Sequence, residues 1–407
     1  MYRNTSYLTQ NKKNGTFVLL SWSLKNMSQN LARKHEFTPN FNILKTAYKR
    51  FPPETMPFIN KSIARLKKER PYFGLNIVHN LHITFSTVCK IIPLLYSGAN
   101  VTMTATKELQ IDKDALNLIT RANVPFIFPE NLPNNFDIAL DCGGGLSEFV
   151  CPKIGAAEIT QSGKAKYQNA NINYPVISVD ESNLKQLETL FGTGDGFVRA
   201  LGEITKEDIR HKKIVLFGYG KVGHGIVNSL QEFTKDIVII ELNSEQIQEA
   251  IKDGYRGISL LDTEQIKSEL NTAFCAVTAT GEKETISKHF NQNDFGCCRY
   301  LANMGTEDEF GSNFSNDKIL CDKAPINFSI KVPTLSKYLD PIFYAHNSVI
   351  DLLLSGKFLK GFHHFPFDFD MQILERWKNI YTKDGEKLRL LRILNYSNNF
   401  DFCTQVA

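Results

Sequence analysis

The chain has 407 residues, with 47 Lys and Arg against 43 Asp and Glu, giving a formal net charge of +4. At roughly 100–200 residues per domain, that is enough chain for two or three domains with real cores. Hydrophobic residues at 42% and charged residues at 22% exclude wholesale disorder, and the near-balanced charge gives no electrostatic reason to expect a nucleic acid or a membrane as partner.

Residues 1–51 are polar and Asn-rich with weak periodicity, and read as an N-terminal extension, a loosely packed cap. From Pro52 the pattern becomes a run of αβ units. A basic-faced helix is predicted over 59–68, a strand over 75–78, an apolar helix over 87–95 and a strand over 101–104. A helix near 114–121 and strands at 125–128 and 137–140 follow. Strands alternating with helices argue for a parallel sheet. The glycine run Gly143–Gly145 directly follows the last of these strands, where a chain can turn sharply or let a ligand approach its backbone. A second alternating series runs from Lys213 to about Asn327, an apolar helix pattern covers 338–359, and the tail from His363 is aromatic and charged.

No apolar run reaches the roughly 18–20 residues needed to cross a bilayer. The apolar patch 17–20 is too short for a signal-peptide core, so a cytoplasmic protein is expected. The eight cysteines include no C-x-x-C pair, and those in apolar runs, such as Cys275, read as small, reduced, buried hydrophobes. The histidines make no ligand cluster by spacing, the adjacent His363–His364 coming nearest, and no metal is expected.

The strongest signal lies at 212–230. The apolar run Ile214–Phe217 is followed at once by Gly218, Tyr219, Gly220, Lys221, Val222 and Gly223, which fit G-x-G-x-x-G and open an apolar-periodic helix. Gly218 makes the tight turn, Gly220 lets backbone approach a pyrophosphate, and Gly223 lets helix pack on strand. The diphosphate would sit at the helix N-terminus, where free N–H groups and the helix dipole favour an anion. A second strand, 237–240, ends in Glu241, which can accept hydrogen bonds from ribose hydroxyls and would repel a 2′-phosphate. No Arg or Lys follows it before Lys252, so NAD is expected rather than NADP. A Gly-rich turn that binds nothing, or an S-adenosylmethionine site, would account for less of this context. Further strand ends at Thr278-Ala279-Thr280-Gly281 and at Leu301–Gly305 would lie at the same sheet edge. Asn303 there is either an amide partner for a nicotinamide or a turn residue.

These motifs resemble the S-adenosylhomocysteine hydrolases (adenosylhomocysteinases). GYGKVGHG is similar to that family's GYGDVGKG, and DGYRG, TATG, SKHF at 287–290 and ANMG at 302–305 follow in the family's order. Upstream, residues 56–84 resemble its MPGL…LHMT segment, LDCGGGL its LDDGGDL, GAAEITQSG its GISEETTTG, and LFG at 190–192 its NLYG. The resemblance implies NAD held in a closed redox cycle on a ribose 3′-hydroxyl, two Rossmann-like doubly wound α/β domains with an interdomain cleft, and a homo-oligomer. It divides the chain into the extension 1–51, a substrate-like domain 52–190 completed by 338–407, and an NAD-binding domain 191–337.

Carried over residue by residue, the resemblance places Gly218, Gly220, Lys221, Val222, Gly223, Glu241, Thr160, Gln161, Ser162, Thr280, Gly281 and Asn303 at the cofactor, with Gln161 replacing a threonine. It places Thr84, Asp141 and Glu158 at the substrate and offers His82, His289 and Lys185 as catalytic groups, Lys185 only through a one-residue shift, since the family's K-x-D-N falls on Gln186, Leu187, Glu188 and Thr189. His82 could equally cap a sheet edge, and Lys185 could be a solvated helix lysine. The departures concentrate on the substrate side. Cys142 stands for the second aspartate of LDDGGDL, Ile159 for the second glutamate of EETTTG, and Asp340 for the histidine of the family's late GHPSF motif. The family's closing Lys/Tyr-rich tail has no match in 394–407. Each ribose hydroxyl left unpaired costs about 1–3 kcal/mol, which argues against ordinary hydrolysis of adenosylhomocysteine. The expected function is therefore an NAD-dependent enzyme with a rebuilt pocket for another hydroxyl-bearing, nucleoside-like small molecule. A non-catalytic NAD-binding homologue comes second and a true hydrolase third.

Overall fold

In the computed structural model of the chain, residues 38–382 are described. They build two sheets in which all registered strand pairs are parallel. The first comprises β1 (Asn76–Asn80), β2 (Asn100–Thr104), β3 (Ile138–Asp141), β4 (Gly155–Glu158), β5 (Pro175–Ser178) and β11 (Gly361–His364), in the order β2-β1-β3-β4-β5-β11. The second comprises β6 (Ile214–Phe217), β7 (Ile237–Glu241), β8 (Arg256–Ser259), β9 (Cys275–Thr278) and β10 (Tyr300–Asn303), in the order β8-β7-β6-β9-β10. Both are doubly wound α/β orders. The second is the 3-2-1-4-5 order of dinucleotide domains, the first the 2-1-3-4-5 order of the flavodoxin type with one strand added. The topological switch points therefore fall between β1 and β3 and between β6 and β9, where such sheets bind ligands.

The strands are four or five residues long and mostly buried on both faces, as parallel strands covered by helices must be. The helices after β1, β2, β4, β5, β7 and β8 are α3 (Phe85–Tyr96), α4 (Lys113–Arg121), α5 (Gln161–Asn169), α6 (Asn183–Gln186), α9 (Ser244–Lys252) and α10 (Thr263–Leu270). Each starts behind a polar residue whose side chain accepts a first-turn N–H: Thr84, Asp112, Thr160, Ser182, Asn243 and Asp262. By contrast, α8 (Lys221–Leu230), which follows β6, starts behind Gly220 with no side-chain cap.

The chain crosses between the sheets twice. On the way out, α6 runs into a π-type turn, Leu187–Gly192, which continues into α7 (Thr193–Thr205). On the way back, residues 332–335 lead into α11 (Ser336–Leu354), and the chain then supplies β11 to the first sheet before α12 (Phe367–Tyr381). The two crossings are tied together. The Arg199 guanidinium donates to the carbonyls of Val332 (2.7 Å) and Pro333 (3.1 Å), and a Cβ on Gly196 would lie 2.6 Å from the Pro333 oxygen.

Several local expectations need correction. The stretch from Asn40 is no loose cap: α1 (Phe41–Leu44) and the turn after it bury Leu44 and Ala47 completely, and Phe41 stacks on Tyr96 at 3.9 Å. The predicted strand at 125–128 is reduced to a single bridge between Met103 and Phe126, because Pro125 and Pro129 leave no run of donors for a ladder. The strands β4, β5 and β8 were not predicted; GAAE, PVIS and RGIS are too short and too small to show a pattern. The tail 394–407 lies outside the described residues.

Candidate functional site

At the second sheet's switch point the strand β6 ends in Gly218, whose φ of +99° suits glycine and whose Cβ would lie 2.5 Å from the Ala279 carbonyl oxygen. A Cβ on Gly223 would lie 2.2 Å from the Gly218 oxygen, so helix α8 rests directly on the turn. At Gly220, by contrast, a Cβ would meet none of the described residues within 4 Å. Among the described residues nothing crowds the first turn of α8, and no capping side chain satisfies its N–H groups, the condition for seating an anion. Glu241 closes the far side: its Oε2 accepts the Tyr219 N–H (2.8 Å) and its Oε1 those of Leu242 (2.7 Å) and Asn243 (3.1 Å). A dinucleotide would fit this cradle, with its diphosphate at Gly220 and its ribose hydroxyls toward Glu241, whose oxygens also hold the three backbone N–H groups. Lys221 and Val222 follow Gly220 as the first residues of the helix.

Beyond β9, the backbone N–H groups of Thr280 and Gly281 donate to the two oxygens of Glu309, at 2.9 and 2.7 Å. Glu309 is fully buried, and burial pushes its carboxyl up; it holds the loop that faces Gly218. No spacing rule singles it out; only its place in the run Glu307–Phe310, beside Gly305, marks it in the sequence. Asn303 corrects an expectation. Its oxygen accepts from Thr278 Oγ1 and Gly305 N, both at 3.0 Å, and its amide donates to the carbonyls of Gly305, Glu307 and Lys323. The side chain is fully buried and its bonding capacity is used inside the fold, so it is a loop pin with nothing left for a nicotinamide.

At the first sheet's switch point, Asn80 at the end of β1 donates to Asp141 Oδ1 (2.7 Å) at the end of β3 and accepts from Thr106 N (2.9 Å). Asp141 also takes N–H groups from Cys142 (2.8 Å) and Leu146 (2.9 Å) and the Tyr167 hydroxyl (2.7 Å). Glu158 takes the N–H groups of Gly143, Gly144, Ile159 and Thr160 together with the Thr160 hydroxyl. Burial, and for Asp141 also the neighbouring Glu158, raises both carboxyls. These two residues are present where expected, but they fold the glycine turn instead of presenting free oxygens. Thr84 likewise spends its hydroxyl capping α3, and Thr160 spends its own on Glu158, Gly143 and Gly163. Gln161 and Ser162 stand exposed in the first turn of α5.

Lys185 is not a solvated helix lysine. It is mostly buried beside Glu188, its Nζ 2.5 Å from Oε2; burial lowers its pKa, but Glu188 and then Asp180 outweigh that and raise it. His82 caps the loop after β2: its Nδ1 accepts the Gln110 N–H (3.0 Å), and partial burial and then the Lys185 charge lower its pKa. Cys142 lies in the same electrostatic neighbourhood, its thiol pushed up to about 12 by burial, then by Glu158 and Asp141. Asp340, by contrast, turns away to accept the N–H groups of Phe58 (2.7 Å) and Ile59 (2.9 Å), capping α2 (Pro57–Glu69). The structure does not bring His289 to this group. It is exposed on the second unit after the turn Ile286–Lys288, its ring 6.4 Å from that of Phe290.

Beneath the first sheet's edge lies a cluster that spacing did not reveal. The fully buried Lys90 reaches His79 Nε2 (3.0 Å) and Asn347 Oδ1 (2.7 Å), and the fully buried His346 stands near enough for Lys90 to depress its pKa. A single lysine within the apolar helix FSTVCKIIPLLY was the signal. Among the described residues no helix is long and apolar enough to cross a membrane.

The family S-adenosyl-L-homocysteine hydrolase, NAD binding domain, matches residues 189–337. The adenosylhomocysteinase of Saccharolobus solfataricus is 25% identical over 332 residues, 74% of this chain and 75% of that protein. That of Thermoplasma volcanium is 27% identical over 258 residues, 57% of this chain and 62% of its own length. The S-inosyl-L-homocysteine hydrolase of Methanothermobacter thermautotrophicus is 26% identical over 284 residues, 63% of this chain and 66% of its own. The glycine cradle and the dinucleotide strand order fall inside the matched segment, so residues 189–337 resemble the NAD-binding domain of the S-adenosyl-L-homocysteine hydrolases, with NAD as the cofactor.

Proposed function

We propose that the protein is an NAD-dependent enzyme that acts on a hydroxyl-bearing, nucleoside-like small molecule in a rebuilt pocket, working as a cytoplasmic homo-oligomer. One observation carries this reading: the turn that bears Glu188, beside Lys185, packs directly on the dinucleotide helix. A Cβ on Gly225 of α8 would lie 1.8 Å from the Leu190 carbonyl oxygen of that turn. NAD in the cradle supplies a hydride acceptor. The residues of the chain then supply binding and proton transfer. Lys185 stays charged against Glu188 and can donate a proton; His82, held neutral, can accept one; Cys142 remains a protonated thiol.

The substrate differs from adenosylhomocysteine on this reading, because Ile159 offers no carboxylate and Asp141 and Glu158 spend theirs on the glycine turn. That one relative is named for an inosyl substrate supports a pocket that changes within the family. The spent carboxylates also favour the second reading, an NAD-binding homologue without turnover. The test is to purify the protein with its NAD and add adenosylhomocysteine, inosylhomocysteine and a panel of nucleosides, following the reduced-nicotinamide absorbance band. Reduction by a nucleoside-like hydroxyl is expected. NAD that no hydroxyl compound reduces would establish the second reading, and release of adenosine and homocysteine at a useful rate the third.

A further inference from the structure

We infer that His224, Glu249 and Asp253 form a binding site for one divalent transition-metal ion of the zinc class, on the back of the dinucleotide turn. One ligand atom from each of the three lies within 4.8 Å of the others, the only such grouping of His, Cys, Asp and Glu among the described residues. His224 comes from the first half of α8; Glu249 and Asp253 come from one face of α9 and its end, a single turn apart. The two helices are adjacent crossovers of the same sheet, so the site is held by the dinucleotide fold itself.

The chemistry of the set favours a transition ion. One imidazole with two carboxylates is a borderline donor set that suits zinc or iron(II) and is poor for calcium or magnesium, which take oxygen alone. Three protein ligands leave at least one position for water. His224 Nε2 stands 3.6 Å from Glu249 Oε2, beyond a hydrogen bond, and that side chain is only 10% exposed. Glu249 Oε2 is itself buried and accepts no hydrogen bond among the described residues. Bonds of about 2.0–2.2 Å would draw the ligand atoms to within roughly 3–3.5 Å of each other, a closure of about 1 Å by rotation of the side chains. Two neighbours already orient the set. The Tyr219 ring lies 3.9 Å from that of His224, and the Tyr219 hydroxyl donates to Asp253 Oδ2 at 2.9 Å. Tyr219 is also the residue whose N–H is held by Glu241, so the ion would rest one residue behind the diphosphate cradle.

The test uses the full chain, free of any histidine tag and stripped with a chelator. Zinc chloride is titrated by calorimetry, and cobalt(II) is added in parallel to read the visible spectrum. One equivalent of zinc is expected. His224→Gln and Glu249→Gln should each weaken it by about tenfold or more, since disturbing even a supporting residue of a metal site costs 10–100-fold. His363→Ala with His364→Ala, which removes the tandem histidines, should leave it unchanged. Absence of stoichiometric binding, or binding that survives His224→Gln but not loss of the tandem pair, overturns the assignment. The cobalt spectrum of the unaltered protein decides without any variant: weak ligand-field bands of an imidazole–carboxylate set support the site, and intense thiolate bands would put the ion on cysteines and refute it.

Discussion

At the second sheet's edge, Gly218, Gly223 and Gly225 bring backbone against backbone at places where a Cβ would lie 2.5, 2.2 and 1.8 Å from a carbonyl oxygen. At the first sheet's edge, Asn80, Asp141, Glu158 and Thr160 occupy the equivalent region and tie it with their own side chains. Both edges are switch points of doubly wound sheets, yet one is shaped by missing side chains and left open, the other filled with bonded ones. The difference teaches where binding capacity remains. A backbone cradle keeps its donors for a ligand, whereas a side-chain network that satisfies itself has fewer groups left to offer.

The sharpest way to break that comparison is to add a methyl group where backbones touch. Gly225→Ala should cost about 3 kcal/mol or more, because neither α8 nor the turn at Leu190 can retreat without moving the crossing that joins the sheets. Chemical denaturation would measure it. A variant as stable as the parent would mean that α8 and the turn are free to separate, and that the contact does not couple cofactor to Lys185 and Glu188.

Gly220→Val probes the opposite property of the same edge. Its φ of −76° suits any residue and its Cβ meets no neighbour, so stability should change by less than about 0.5 kcal/mol. NAD affinity should fall about 100-fold, equivalent to ~2.7 kcal/mol, as measured by calorimetry on the stripped protein. Unchanged affinity would remove the cradle from the site. Asn303→Ala should do the reverse. Its buried partners Thr278, Gly305, Glu307 and Lys323 lose their bonds, at about 2 kcal/mol of stability, with NAD affinity changed only a few-fold. A large loss of affinity at full stability would restore Asn303 as a direct cofactor contact.

The same contrast explains what could be read from the sequence. The cofactor edge was legible because tight backbone contacts demand glycine at fixed offsets within one short segment, and Gly218, Gly220, Gly223 and Glu241 are close in the chain. The strand alternation gave the parallel sheets for a similar reason, since each βα unit is local. The first edge was legible only as a resemblance. Asp141 and Glu158 could be placed, but whether their oxygens face a substrate or their own glycine turn depends on Leu146, Tyr167 and Thr160 meeting them in space. Lys90, His79 and Asn347 come together from β1, α3 and α11, and no spacing rule joins them. Asn303 was ambiguous because an amide at a strand end looks the same whether it bonds a ligand or its own loop.

The smallest expected effect, counted per pH unit, tests how the filled edge handles charge. Lys90 is fully buried and its Nζ bonds two neutral groups, His79 Nε2 and Asn347 Oδ1; among the described residues no carboxylate bonds it, and burial drives its pKa well below the ordinary 10.5. In the unfolded chain the amine keeps the ordinary value, so between the two values the unfolded state holds one more proton. Stability must then rise with pH up to about 10, by at most ~1.4 kcal/mol per pH unit. His79 and His346, both lowered by burial and by Lys90, act in the same sense at acid pH, where stability is lost as the pH falls below 6.5. Lys90→Met removes the alkaline rise and keeps the acid loss, while leaving Asn347 Oδ1 without its donor. The difference in unfolding free energy between parent and variant, measured from about pH 8 to 10, cancels the tyrosines and cysteines that titrate in the same range. A difference that does not change with pH would show that Lys90 keeps its proton in the fold, and the first edge would then hold a buried cation beside His79 and Asn347.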